Sequence, residues 1–315
     1  MKRKITLLLM ILSALLIAGC SAEEQGEKED GVLKVYTTVY PLQFFAEEIG
    51  GEFIKAESVY PPGADEHTFE PSQKDMISIA DSDLFIYIGL GLEGFVEKAK
   101  STLANEQVSM LPAGEAIHFE EEGHEDGEHE EEHSHDGHSH GSIDPHVWLD
   151  PLYSKQLAES IKDGLTNLLP EQEAYFESNL AELTAELDQL DADFQSTVSG
   201  SSKHEIIVAH SAYGYWEERY GIEQLSISGL STTSEPSQKE LQKLIEHART
   251  DGLEYVLFEQ NFQSRLAETV QKELGAKSLY LHNLSVLTKD DIKNGENYFT
   301  LMEKNIETLR TALSQ

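Results

Sequence analysis

The sequence predicts an α/β protein of two lobes, each with a parallel sheet flanked by helices, joined by one long α-helix. Strand-like and helix-like segments alternate in the N-terminal third of the chain and again after Gly200. Such alternation marks βαβ units, whose parallel strands require crossover connections. Between the two regions runs a helical pattern of a different texture, with apolar residues at three- to four-residue spacing.

Residues 32–39 are largely β-branched and apolar and predict a first strand. Pro41 then opens a helix to about Gly50, since proline suits a first turn that has no N–H bond to lose. Residues 53–60 predict a second strand, closed by Pro61-Pro62-Gly63. Residues 72–82 predict a helix with Met76, Ile77 and Ala80 on one face. Residues 84–89 are continuously apolar, as in a strand buried on both faces.

Residues 151–169 predict a helix, and Pro170 opens a second that runs to about Val198. Its stripe is Tyr175, Leu180, Leu183, Leu187, Leu190 and Phe194. At about 1.5 Å per residue it forms a rod of roughly 40 Å, long enough to touch both lobes and restrict their hinge motion. Strands follow at 205–209, 225–227, 255–258 and 278–281, with helices at 239–248 and 263–274. The predicted organisation is a leader at 1–19, a tether at 20–31, an N-terminal lobe at 32–150, a helical connection at 151–200 and a C-terminal lobe at 201–315.

The leader has a basic start, Lys2-Arg3-Lys4, and an apolar run at 5–17 that is too short to span a bilayer. It closes on Leu16-Ile17-Ala18-Gly19-Cys20, which resembles a bacterial lipobox. Cys20 would then carry lipid as the first residue of the mature chain. As the sole cysteine of 315 residues, it leaves no disulfide within the chain and no thiolate for a metal site.

Residues 120–141 contain only Glu, Asp, His, Gly and Ser. Ten carboxylates accompany six histidines: His124, His129, His133, His135, His138 and His140. Nothing in this tract can enter an apolar core, so it predicts a solvated, disordered loop within the N-terminal lobe. Imidazole and carboxylate together suit borderline divalent cations, which such an array would bind at several weak sites. His129 to His133 formally satisfies H-E-x-x-H, but that protease motif needs a buried helix, and a tract so rich in His and Glu matches it by chance. The chain carries 58 acidic against 23 basic residues, a net charge of −35. That balance argues against nucleic acid or anionic lipid as partners and favours cations.

Outside the tract, three histidines stand in comparable loop settings. His67 lies in Pro61-Pro62-Gly63-Ala64-Asp65-Glu66-His67-Thr68-Phe69-Glu70-Pro71, just past a predicted strand. His146 lies in Asp144-Pro145-His146-Val147-Trp148-Leu149-Asp150-Pro151, and His210 closes the strand that precedes Ser211-Ala212-Tyr213. Loops at the carboxyl ends of strands line the ligand crevice of open α/β sheets. Each histidine alone reads as structural; three distributed over both lobes read as one metal site.

With these motifs and Gly229–Ser237 (GLSTTSEPS), the chain resembles the metal-specific solute-binding lipoproteins of bacterial ABC importers, cluster A-I, zinc-binding ZnuA/AdcA type. The acidic, His-rich tract before His146 and the long interlobe helix belong to the same resemblance. It implies Zn2+ held in the interlobe cleft by His67, His146 and His210, and delivery to a membrane permease with its ATPase. It further implies a monomer anchored to the membrane through lipid on Cys20, with no catalysis. Many relatives supply a carboxylate from a late C-lobe loop, where this chain has Ser285. Glu66 is the first replacement, with water and His282 as alternatives. Three imidazoles favour zinc over manganese, which prefers oxygen donors. A manganese-binding homologue, a surface metal buffer and an adhesin-type lipoprotein remain the alternative readings.

Overall fold

Parallel strands cannot be joined by tight turns, and every strand pairing in the computed structural model is parallel. The structure describes residues 31–119 and 143–314. One sheet holds β1 (Leu33–Thr37), β2 (Ile54–Ser58), β3 (Leu84–Tyr87) and β4 (Ser109–Pro112) in the order β2-β1-β3-β4. The other holds β5 (Glu205–His210), β6 (Glu223–Ser228), β7 (Tyr255–Glu259) and β8 (Lys277–Leu281) in the order β6-β5-β7-β8. In each, the chain steps to one side of its first strand and then to the other. The strand order therefore reverses between β1 and β3 and between β5 and β7, and ligand crevices form at such points.

The helices follow their local signals. α1 (Tyr40–Gly50) carries Pro41 in its first turn and buries Leu42, Phe45 and Ile49. α2 (Gln73–Ala80) starts with a capping box between Ser72 and Asp75. Its buried residue is Ile79, whereas Ile77 is 62% exposed, so the predicted apolar face is rotated. A helix of only eight residues offers too few turns for periodicity to fix a face. α3 (Val96–Leu103) and β4 complete the N-terminal lobe.

α4 (Pro151–Leu168) is capped by Asp150, whose side chain accepts from the Leu152 and Tyr153 amides. α5 (Glu173–Ser199) is the predicted long helix, 27 residues or about 40 Å, entered through a 3₁₀ turn at Pro170–Gln172. It buries Phe176, Leu183, Leu187, Leu190, Phe194 and Val198. Tyr175 stays 38% exposed, and Phe176 takes the place expected for it. α5 meets α1 through a hydrogen bond from Asn179 Nδ2 to Ile49 O (3.0 Å). Farther along, Tyr220 Oη donates to Asp191 Oδ1 (2.9 Å), tying α5 to the C-terminal lobe.

That lobe adds α6 (Gly214–Tyr220), α7 (Gln238–Thr250), α8 (Arg265–Leu274), α9 (Lys289–Asn294) and α10 (Tyr298–Leu313). Elements α3, β4, α6, α9 and α10 have no counterpart among the predicted ones. α10 joins the lobes: Tyr298 is fully buried and its ring lies 6.0 Å from Phe44 and 5.0 Å from Phe45 of α1. One apolar core runs from Val35 and Phe45 through Trp148, Leu187 and Phe194 to Trp216 and Tyr298. A smaller one lies in the C-terminal lobe around Ile207, Ile227, Val256 and Val270. The lobes are thus joined by a shared core as well as by α5. Among the described residues no helix is long and apolar enough to cross a membrane.

Candidate metal centre

The loop after β2 is shaped by Asp65. Its Oδ1 accepts from the amides of His67 (2.9 Å) and Thr68 (3.1 Å), a local turn that aims the His67 ring inward. Its Oδ2 accepts from Thr232 Oγ1 (2.8 Å) of the C-terminal lobe. The same device recurs two residues before His146. Asp144 Oδ1 accepts from the His146 amide (2.9 Å) and lies 2.7 Å from its ring Nδ1. Gly214 admits this carboxylate, since a Cβ there would lie 2.9 Å from Asp144 Oδ2.

His210 is the last residue of β5 and Glu259 the last of the adjacent β7, at the point where strand order reverses. Their side chains meet through His210 Nδ1 and Glu259 Oε1, both buried. A carboxylate against Nδ1 places the neutral ring's proton there and leaves a lone pair on Nε2. His146 Nε2 lies 3.2 Å from His67 Nε2 and 3.4 Å from His210 Nε2. Converging imidazole lone pairs repel one another unless a proton or metal cation lies between them.

Glu66 joins the three rings: one donor atom from each of Glu66, His67, His146 and His210 lies within 4.8 Å of the others. Three of these residues come from the N-terminal lobe and His210 from the C-terminal one. Glu66, His146 and His210 are buried and His67 is half-buried. Burial, reinforced by His146 and His210, holds the His67 imidazole down to about 3. Burial also pulls at His210, but the Glu259 carboxylate outweighs it and pushes the ring up to about 8. Glu66 is raised, chiefly by burial.

Ser285 is fully buried, and its hydroxyl lies 2.9 Å from Glu66 Oε2. It stands behind Glu66 as a support. His282 is turned elsewhere, its Nε2 on Asp291 Oδ2 (3.2 Å) and its Nδ1 accepting from the Leu284 amide (3.0 Å). A second group, Glu205, His247 and Asp251, also has donor atoms within 4.8 Å of one another, but it is an open ion-pair cluster with His247 and Asp251 exposed. The tract histidines His124, His129, His133, His135, His138 and His140, and Cys20, lie outside the described residues. Sequence reasoning missed Asp65, Asp144, Glu259, Asn261 and Asn283. The repeated Asp-x-His of Asp65-Glu66-His67 and Asp144-Pro145-His146 was a usable signal for the first two.

Fold and site together define a two-lobed α/β protein with a buried cluster of three imidazoles and a carboxylate drawn from both lobes. The family model for zinc-uptake complex component A, periplasmic (ZnuA), matches residues 35–312, and the chain belongs to that family. It is 36% identical over 323 residues to the zinc-binding lipoprotein AdcA of Streptococcus pneumoniae, covering 99% of this chain and 62% of the relative. The chain thus spans about three fifths of the length of that relative. It is 32% identical over 306 residues to the high-affinity zinc uptake system protein ZnuA of Bacillus subtilis, covering 95% of this chain and 94% of that one. Among solved structures, the Zn(II)-bound ZnuA-like domain of Streptococcus pneumoniae AdcA aligns with a TM-score of 0.73 at 33% identity, over 90% of this chain and 100% of that one. The metal-dependent lipoprotein YcdH of Bacillus subtilis aligns with a TM-score of 0.73 at 30% identity, over 89% of this chain and 99% of that one.

Proposed function

We propose that this chain is the extracytoplasmic zinc-binding component of an ABC importer. It captures Zn2+ as cargo and delivers it to a membrane permease driven by an ATPase. His67, His146 and His210 bind the ion through Nε2, and Glu66 supplies an oxygen. The observation that carries this reading is the convergence of four donor atoms within 4.8 Å, contributed by both lobes. Asp144 and Glu259 set the tautomers of two rings and raise their basicity. A catalytic zinc keeps a coordination position open; four protein donors, three of them buried, close this one, which suits carriage rather than catalysis. In the same reading the mature protein is a monomer held at the membrane by lipid on Cys20. The histidines of residues 120–141 collect zinc weakly.

A competitive titration of the chain against a chromophoric chelator tests the reading. One tight equivalent of zinc is expected, lost in His67→Ala, His146→Ala and His210→Ala. If His210→Ala lacking residues 120–141 still bound zinc as tightly as the parent, the assignment would be wrong.

A further inference from the structure

The Glu66 carboxylate is held by residues of the opposite lobe, and the donors that hold it can be counted. Asn283 Nδ2 lies 3.0 Å from Glu66 Oε1 and 2.8 Å from Glu259 Oε2, so one amide ties both buried carboxylates. Glu66 Oε2 lies 3.1 Å from Asn261 Nδ2 and 2.9 Å from Ser285 Oγ. The Ser285 proton has two candidate acceptors, Glu66 Oε2 and Asn283 Oδ1, each at 2.9 Å. Asn283 Oδ1 already accepts from Gln260 Nε2 (2.8 Å) and from the Ser285 amide (3.1 Å), which fills its two lone pairs. The hydroxyl proton therefore goes to Glu66.

An ionised carboxylate offers about four lone-pair sites over its two oxygens. Two side-chain donors, Asn261 and Ser285, reach Oε2, with Asn261 Nδ2 shared with Ala64 O (3.0 Å) and Ser285 Oγ (3.2 Å), whereas Asn283 is the side-chain donor on Oε1. Of the two oxygens, Oε1 therefore carries the fewer side-chain donors. The backbone shows that this arrangement is imposed. Leu284, fully buried between Asn283 and Ser285, sits at φ +60°, a region that leucine seldom enters. That turn points the side chains on either side of it at the same carboxylate.

Resting on the zinc reading above, we infer that Asn261, Asn283 and Ser285 act as a clasp that restricts Glu66 to one-oxygen coordination and thereby sets selectivity for zinc over manganese. Zinc is satisfied by four donors, whereas manganese favours more oxygen donors and higher coordination numbers. A carboxylate free to offer both oxygens would serve manganese better. The three clasp residues are positioning residues, touching Glu66 and never the ion.

The test uses the whole chain. X-ray absorption of the zinc-loaded parent is expected to count three nitrogens and one oxygen. The double variant Ser285→Ala/Asn261→Ala frees Oε2, so the ratio of zinc to manganese affinity should fall about tenfold or more. Its cobalt-substituted form should lose the intense absorption of a four-coordinate ion. Ser285→Thr, which keeps the hydroxyl, should restore both readouts. Ser285→Ala alone should move them part of the way and covers the case in which the double variant does not fold. A parent site with two carboxylate oxygens on zinc, or variants with the parental metal ratio and cobalt spectrum, would overturn the clasp and leave the zinc site standing. Tight zinc binding that survives His146→Ala would instead overturn the site itself.

Discussion

His210 and Glu259 close two neighbouring parallel strands, β5 and β7, and face each other as a buried imidazole–carboxylate pair at the point where strand order reverses. In the proposed metal site the pair orients His210, the ligand supplied by the C-terminal lobe. Glu259→Gln keeps the shape but removes the charge. Zinc affinity should drop about ten- to a hundredfold, the range for a disturbed outer partner. The His210 ring should also titrate well below the value of about 8 that Glu259 sustains. Chelator competition and an NMR titration of the metal-free chain measure the two effects; unchanged affinity would remove Glu259 from the site.

Zinc affinity should depend on pH through His210. Its ring titrates near 8 when metal-free, so below that pH zinc must displace a proton, and affinity should fall up to about tenfold per unit. His67, held near 3, contributes nothing to this slope above acidic pH. The stability of the metal-free chain runs the other way. A raised folded-state pKa stabilises fully below the unfolded value of about 6.5, and that contribution is lost as pH rises through 8. Between these limits zinc affinity should rise while the His210 contribution to metal-free stability falls. Titrations and melts across the range would show both, and a flat affinity profile would contradict the assignment.

Tyr298 tests the shared core. Its ring packs on Phe44 and Phe45 of the other lobe, and its hydroxyl donates to Trp148 O (2.9 Å) beside the His146 loop. Tyr298→Phe should cost about 1 kcal/mol for the lost hydrogen bond. Tyr298→Ala should cost about 3–5 kcal/mol through the cavity it leaves. Denaturant unfolding of the metal-free chain checks both; similar small losses for the two variants would mean that the ring is not a packing element.

Removal of residues 120–141 should separate weak from tight binding. Ordering backbone around an ion costs about 1–2 kcal/mol per residue fixed, a cost that donors already held in packed lobes do not incur. Calorimetry of the deletion should lose the multiple weak sites and retain the tight one. Zinc uptake by cells should suffer only when zinc is scarce. Loss of the tight site with the tract would make the protein a loop-based buffer.

Much of the architecture was legible in the chain. Apolar and β-branched runs mark β1 and β3, a first-turn proline marks α1, and an apolar stripe at three- to four-residue spacing marks α5, because each is decided by contacts within a few residues. The Asp-x-His turns are equally local, with Asp65 and Asp144 bonding the amide two residues on. His67 and His146 stood out by their loop settings instead, and the Asp-x-His repeat went unused. Short elements were harder: α2 has two turns, and its buried side, Ile79 rather than Ile77, is chosen by what packs against it.

The sequence alone thus determined the fold class, the long helix and the histidines that converge. Only the tertiary structure decided which side chains support them, because those partners come from distant parts of the chain. Glu259 lies 49 residues from His210, and Asn283 lies 217 residues from Glu66. Residue spacing carries no signal for such pairs. They exist because packing of the two lobes buries Glu66 where water cannot reach it, and a buried carboxylate must find its hydrogen bonds within the protein.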